Sequence, residues 1–235
     1  MRRSTALGAG SAIAIAVLAA QLPGGARQPT ARAGADWPMY RHDLEGSGYS
    51  PLTQIDASNV SRLARVWTYK LQGDPPAAPA AGGRGGAAVL SSEATPIVVN
   101  GVMYLPAAGR IVALDPETGK EIWQHPVTGA APSRRGVAYW AGDADHPARI
   151  FFAAGRRLVA LDAATGASAS SFGGSGEIDM VTPYNSVPLV YQHIVIVGAN
   201  SPPGAIGGIG DPRAYDARTG AKIWQFSAVA QPGAV

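Results

Sequence analysis

From residue 95 onward the chain is a succession of short apolar runs separated by Gly, Pro and Asp, with no sustained helical period. Three segments nearly superimpose: VALDPETGKEIW at 112–123, VALDAATGASAS at 159–170 and RAYDARTGAKIW at 213–224. Their aspartates, Asp115, Asp162 and Asp216, lie 47 and 54 residues apart. Upstream of these, TPIVVNGVMYL at 95–105 matches VPLVYQHIVIV at 187–197, and GVAYW (136–140) with RIFFAA (149–154) supplies the middle copy. One copy reads as four strands. IVV and VMYL flank Asn100-Gly101, a two-residue hairpin signal; RIVALD is the third strand, Asp115 to Gly119 a turn, and KEIW the fourth. Repetition of about fifty residues with four short strands per copy predicts β-propeller blades. A sandwich or barrel is the alternative, but neither predicts the same turn chemistry in every copy.

Trp67, Trp123 and Trp224 each close a fourth-strand run, RVW, EIW and KIW. An indole at one fixed place per unit is suited to packing between neighbouring sheets, with its N–H on a backbone carbonyl. The middle copy departs: Ser170 occupies the Trp position, and Phe172 is the candidate substitute.

Composition narrows the function. The 235 residues are 46% hydrophobic and 15% charged, with Gly 30 and Pro 19, which suits a turn-rich folded chain. There is no cysteine, so disulfides, thiolate metal sites and cysteine nucleophiles are excluded. The formal charge of +3 comes from Arg2, Arg3, Arg27 and Arg32; the remainder carries 15 basic against 16 acidic residues, and no nucleic-acid partner is expected. Residues 1–33 read as an export signal: two arginines, the apolar run at 6–22, and Ala31-Arg32-Ala33 as a cleavage site. A membrane anchor fits less well, because the core is short, Ala/Gly-rich and followed by Pro23-Gly24-Gly25. A periplasmic location is therefore expected, with residues 34–235 as the propeller portion.

The AxDxxTGxxxW repeat resembles the tryptophan-docking repeat of quinoproteins, the dehydrogenases that carry pyrroloquinoline quinone (PQQ). DWPMYRHDLEGSGYSPLTQIDASNVSRLARVWTY at 36–69, SEATPIVVNGVMYL and RRGVAYW resemble the alcohol and glucose dehydrogenase branch more specifically. The resemblance implies an eight-bladed propeller of which this chain supplies about three to four blades. It implies oxidation of an alcohol or sugar hydroxyl to a carbonyl, with electrons passed to a respiratory acceptor. The family's catalytic base falls beyond the stretch that matches, so no catalytic residue is assigned and the chain alone is expected to be inactive. Two alternatives remain: a non-enzymatic propeller module for protein contacts, or one half of a split enzyme completed by a missing propeller half.

PQQ is a flat polyanionic ortho-quinone, which calls for cations, polar groups at the quinone oxygens and flat apolar walls. Glu93 lies three residues before Pro96, Arg135 immediately precedes the matching strand of the middle copy, and Asn185 lies three before Pro188. These spacings of 42 and 50 residues place one polar group at the same point of successive units. By resemblance, Arg135 is the arginine of the family's RGxAYW motif, Glu93 its cofactor-contacting glutamate, and Asn185-Ser186 stand where a Thr-Ser pair is frequent. Calcium is less well served. Pro202 and Pro203 occupy the place of the family's ligating glutamate, leaving Asn200 as a weak candidate ligand and Asp211 as the nearest carboxylate. Pro132-Ser133 stand where many alcohol-oxidising members have adjacent cysteines, so that disulfide is impossible here. Asp143, Asp145 and His146 read as a hairpin loop, and GGIG at 207–210 lacks the strand-to-helix setting of a nucleotide loop.

Overall fold

The computed structural model describes residues 36–72, 93–200 and 210–227. The export signal at 1–33, Pro202 and Pro203 lie outside the described residues. Twelve strands form three antiparallel four-stranded sheets in chain order, and no α-helix is present among the described residues. The first sheet contains β1 (Ile97–Val99), β2 (Val102–Ala107), β3 (Arg110–Leu114) and β4 (Glu121–Pro126). The second contains β5 (Ala138–Trp140), β6 (Arg149–Ala154), β7 (Arg157–Asp162) and β8 (Glu177–Asp179). The third contains β9 (Leu189–Tyr191), β10 (Ile194–Val197), β11 (Arg213–Asp216) and β12 (Lys222–Gln225).

The expected hairpin at Asn100-Gly101 is present, with φ of 51° and 75°, the left-handed pair that a two-residue turn requires. The three acidic turns are built alike. Asp115, Asp162 and Asp216 each use Oδ1 to accept the amides two and three residues ahead, at 2.8–3.1 Å. The glycine of each turn, Gly119, Gly166 or Gly220, sits at positive φ and donates its N–H back to the Asp carbonyl.

The sheets stack face to face. Ile97, Tyr104, Ala113 and Trp123 form one row across the first sheet, and this row packs against Ile150, Phe152, Val159 and Leu161 of the second. The opposite face of the second sheet, with Phe151, Ala153 and Leu158, packs against Val195, Val197 and Tyr215 of the third. The second sheet is thus covered on both sides, which explains why RIFFAA is buried at every position instead of alternating. The row in the third sheet that corresponds to the Ile97 row is Leu189, Ile196, Ala214 and Trp224. No sheet among the described residues covers it, and Leu189 and Trp224 remain 42% and 38% exposed.

The indoles dock on the acidic turns of the following unit. Trp67 Nε1 donates to the carbonyl of Pro116 at 3.1 Å, and Trp123 Nε1 to that of Ala163 at 3.0 Å; each acceptor is the residue after the turn aspartate. The rings lie against the turn glycines so closely that a Cβ on Gly119 or Gly166 would fall 2.6 or 2.5 Å from an indole carbon. Residues 65–67, expected as a strand, form no ladder, because no partner strand lies beside them among the described residues. They are held by Trp67, by Tyr69 on Glu121 and Arg110, and by the Ala108 amide donating to Leu71.

In the middle copy the fourth strand is displaced. The Ala169 amide donates to the Ala160 carbonyl, whereas the Ala160 amide donates to the Gly176 carbonyl. Residues 170–175 therefore leave the ladder and return to the same point, and β8 begins only at Glu177. This excursion carries Phe172, fully buried, to the third sheet's turn, where it and Ile178 take the place beside Gly220 that indoles hold elsewhere. Phe172 does fill the vacant position, but it has no N–H to offer. Arg149 of β6 provides the donor: its Nη1 reaches the carbonyls of Ala217 and Arg218 at 2.6 and 2.7 Å, and its Nη2 donates to the Ser171 hydroxyl. Ala217 follows Asp216 as Ala163 follows Asp162, so the same backbone acceptor is used with a different side chain. The guanidinium is 1% exposed and lies over the Trp140 ring, 5.5 Å from its centroid.

The third turn has its own electrostatic signature. The Arg218 side chain, helped by the Arg218 and Thr219 amides, holds the Asp216 carboxyl far below the usual carboxylate range despite partial burial. A depressed folded-state pKa stabilises above the unfolded value, near pH 4, and is lost as the pH falls through the folded value. Urea midpoints measured from about pH 4 down to pH 2 should fall less steeply for Asp216→Asn than for the parent chain. Parallel slopes would remove Asp216 from the acid response.

Candidate functional site

Each sheet begins with an edge strand, β1, β5 or β9, and the segment entering that strand carries one of the candidate polar residues. The entrances are close together. The Thr95 amide donates to the Arg135 carbonyl at 3.1 Å, and β5 and β9 lie side by side. Gly136 sits between entrances at φ 146°, and a Cβ there would lie 3.0 Å from the Thr95 carbonyl oxygen and 3.1 Å from Val187 Cγ2.

A cavity of about 750 Å³ opens at this point. Glu93, Arg135 and Ser186, one from each entrance, contribute to its wall. Arg135 Nε lies 3.3 Å from Glu93 Oε2, and both side chains are more than half exposed, so the pair is a hydrated one worth well under about 1 kcal/mol to folding. It remains available to a ligand that displaces water. The rest of the wall is largely apolar, with Val137 and Ala138 from the second unit and Pro188, Leu189 and Val190 from the third.

Asn185 is placed differently from the sequence expectation. Its side chain is exposed and does not line the cavity, whereas its backbone carbonyl accepts the Ser133 hydroxyl at 2.7 Å. Asn200 donates its amide to the Pro183 carbonyl, and no group of three or more His, Asp or Glu side chains suited to a metal occurs among the described residues. Asp211 is buried, and its Oδ2 accepts Gln225 Nε2 at 2.7 Å and the Ser227 hydroxyl at 3.3 Å. The loop at 143–146 is the expected hairpin connection: Asp143 Oδ1 accepts the amides of Asp145 and His146 and lies 2.8 Å from His146 Nδ1.

One part of the cavity escaped sequence reasoning. Trp37 pairs with Val98 through two backbone hydrogen bonds of 2.7 and 2.9 Å, adding a short segment to the edge of β1. This places Pro38, Met39, Tyr40 and Leu44 on the cavity wall. The apolar run WPMY was the available signal, but it belongs to no repeat and so has no equivalent from which to infer its position.

Residues 37–234 match the family model described as PQQ: glucose/ethanol/alcohol dehydrogenase, beta-propeller domain. The chain belongs to this PQQ β-propeller dehydrogenase family. It is 34% identical over 209 residues to the quinohemoprotein alcohol dehydrogenase of Comamonas testosteroni, covering 83% of this chain and 26% of that protein. It is 33% identical over 228 residues to the quinohemoprotein alcohol dehydrogenase ADH IIB of Pseudomonas putida, covering 92% of this chain and 29% of the relative. Among solved structures, the Comamonas testosteroni enzyme superposes with a TM-score of 0.64 at 30% identity, over 85% of this chain and 28% of that one. A europium-containing methanol dehydrogenase gives a TM-score of 0.62 at 26% identity, over 82% and 32% of the two chains. The chain therefore spans about a quarter to a third of the length of these PQQ-family relatives, and its three sheets are consecutive units of a β-propeller.

Proposed function

We propose that this chain supplies one arc of the quinone site of an exported, periplasmic PQQ-dependent dehydrogenase that oxidises an alcohol or sugar hydroxyl and passes the electrons to a respiratory acceptor. The observation that carries the proposal is the convergence of Glu93, Arg135 and Ser186 from three successive entrances on one cavity. The residues suit the cofactor. Arg135 offers a permanent cation and a planar fork of donors to a carboxylate, Ser186 a hydroxyl, and the exposed Tyr40 and Leu44 side chains apolar surface for a flat ring. Glu93 lies beside Arg135, its Oε2 3.3 Å from the arginine Nε in a hydrated contact that leaves the guanidinium free to turn to a ligand. When bound, the quinone supplies the two-electron acceptor; the chain's part is to bind and orient it and to keep water from its faces.

Calcium is not assigned to the described residues: Asp211, the carboxylate closest in sequence to Asn200, is turned toward Gln225 and Ser227. The open row Leu189, Ile196, Ala214 and Trp224 supports a further four-stranded unit as a neighbour in the working protein, because its counterpart in the first sheet is covered by such a unit.

The test is a titration of the chain with PQQ, followed by quenching of tryptophan fluorescence. Arg135→Ala is expected to weaken binding about 30- to 100-fold, the effect of losing charge-assisted hydrogen bonds to an anion. Equal affinity in the parent and Arg135→Ala would refute the assignment.

A further inference from the structure

A single run of hydrogen bonds joins the three entrances, and Ser133 stands at its centre. The Thr95 amide donates to the Arg135 carbonyl at 3.1 Å. The Arg135 amide donates to Ser133 Oγ at 3.3 Å, and the Ser133 hydroxyl donates to the Asn185 carbonyl at 2.7 Å. The Ser133 amide in turn donates to the Ala153 carbonyl at 2.7 Å, which fixes the serine to β6 in the middle of the stack. One residue from each of three successive units is thus tied to the next through backbone groups and one hydroxyl.

Ser133 is 5% exposed. Its hydroxyl gives one hydrogen bond and receives another, and burial prevents water from replacing either easily. The neighbouring side-chain contact is weaker as an organiser. The Arg135–Glu93 pair is exposed on both sides, and such pairs place a side chain only loosely. The backbone of Arg135 must therefore be set by something else, and the Ser133 hydroxyl is the buried group that meets it.

We propose that Ser133 is a positioning residue for the cofactor cavity: it sets the distance between Arg135, whose amide it accepts, and Ser186, the residue after the carbonyl it donates to. Ser133 does not line the cavity and acts through these two neighbours. The proposal rests on the reading of the cavity as the quinone site.

The experiment compares the parent chain with Ser133→Ala and Ser133→Thr by amide hydrogen exchange and by PQQ titration. In Ser133→Ala, exchange at the Arg135 amide should accelerate about tenfold or more, while the Ile150 and Phe152 amides within β6 keep their protection. PQQ affinity should fall about tenfold, the effect of one lost buried hydrogen bond on a site it organises. Ser133→Thr, which keeps the hydroxyl, should restore both. Unchanged exchange at Arg135 in Ser133→Ala would overturn the proposal. So would faster exchange with undiminished affinity, which would make Ser133 a purely local brace. A parent chain that binds no PQQ, with exchange responding as expected, would overturn the quinone reading and with it any role of Ser133 toward the cofactor, leaving only the tie between loops.

Discussion

Replacing Arg149 by alanine should lower the unfolding free energy of the chain by about 4 kcal/mol, whereas Arg149→Met should cost only about 2 kcal/mol. Two effects compete. The buried guanidinium is costly to desolvate, which pushes its pKa below the ordinary arginine value, and its Nε meets no hydrogen-bond partner among the described residues. Against this, it satisfies the carbonyls of Ala217 and Arg218 and packs on Trp140. Each buried carbonyl left without a donor costs about 1–3 kcal/mol. Both substitutions abandon the two carbonyls and remove the desolvation cost. Alanine leaves a void as well, whereas methionine keeps an apolar stem against Trp140, so part of the loss is recovered. Urea midpoints at constant slope decide between these accounts. A Met variant as unstable as the Ala variant would show that hydrogen bonding, not packing, dominates; two variants as stable as the parent would show that Arg149 contributes nothing to the joint.

Gly166→Ala should be nearly as damaging as Trp123→Ala, at about 3–4 kcal/mol each, although it adds a single methyl group. The methyl would be 2.5 Å from Trp123 Cε3, at a residue whose φ of 73° already disfavours any side chain. The indole must then move, losing its bond to the Ala163 carbonyl and its contact with Tyr104. Because both substitutions act on one joint, the double variant should lie well short of the sum, with a coupling of about 1–2 kcal/mol. Thermal or urea unfolding of the four chains completes this cycle. Strict additivity would mean that the glycine and the indole do not share a joint.

Much of the fold is legible in the chain because its units repeat. The Asn100-Gly101 turn and the Asp-x-x-Thr-Gly turns are local chemistry, set by residues two to five positions apart, and they form as the sequence indicates. What is not legible depends on long-range partners. Arg149 reads as the first residue of an apolar strand, and nothing nearby indicates that its acceptor lies 68 residues away. Phe172 was recognisable as a substitute, but the excursion at 170–175 shifts the register, so the strand after Gly166 begins later than the repeat suggests. Residues 65–67 carry a strand pattern without a strand partner among the described residues, and the pattern alone does not reveal this.

The site divides along the same line. Glu93, Arg135 and Ser186 come together because the entrances of stacked units face a common space, and the repeat shows which segments meet there. Spacing singles out Asn185 in the third entrance, but side chains point in alternating directions along an extended segment, so the next residue, Ser186, lines the cavity while the Asn185 carbonyl is used internally and its side chain is exposed. The Pro38 to Leu44 wall has no counterpart elsewhere in the chain, so periodicity does not bear on it.

The carbonyl that follows each turn aspartate is the fixed point of all three joints, met by Trp67, Trp123 and Arg149 in turn. The donor is interchangeable; the acceptor is not. A census of such modules in other polypeptides is therefore better keyed to the acidic bend than to the aromatic that reaches it, since counting tryptophans would pass over the middle module of this one.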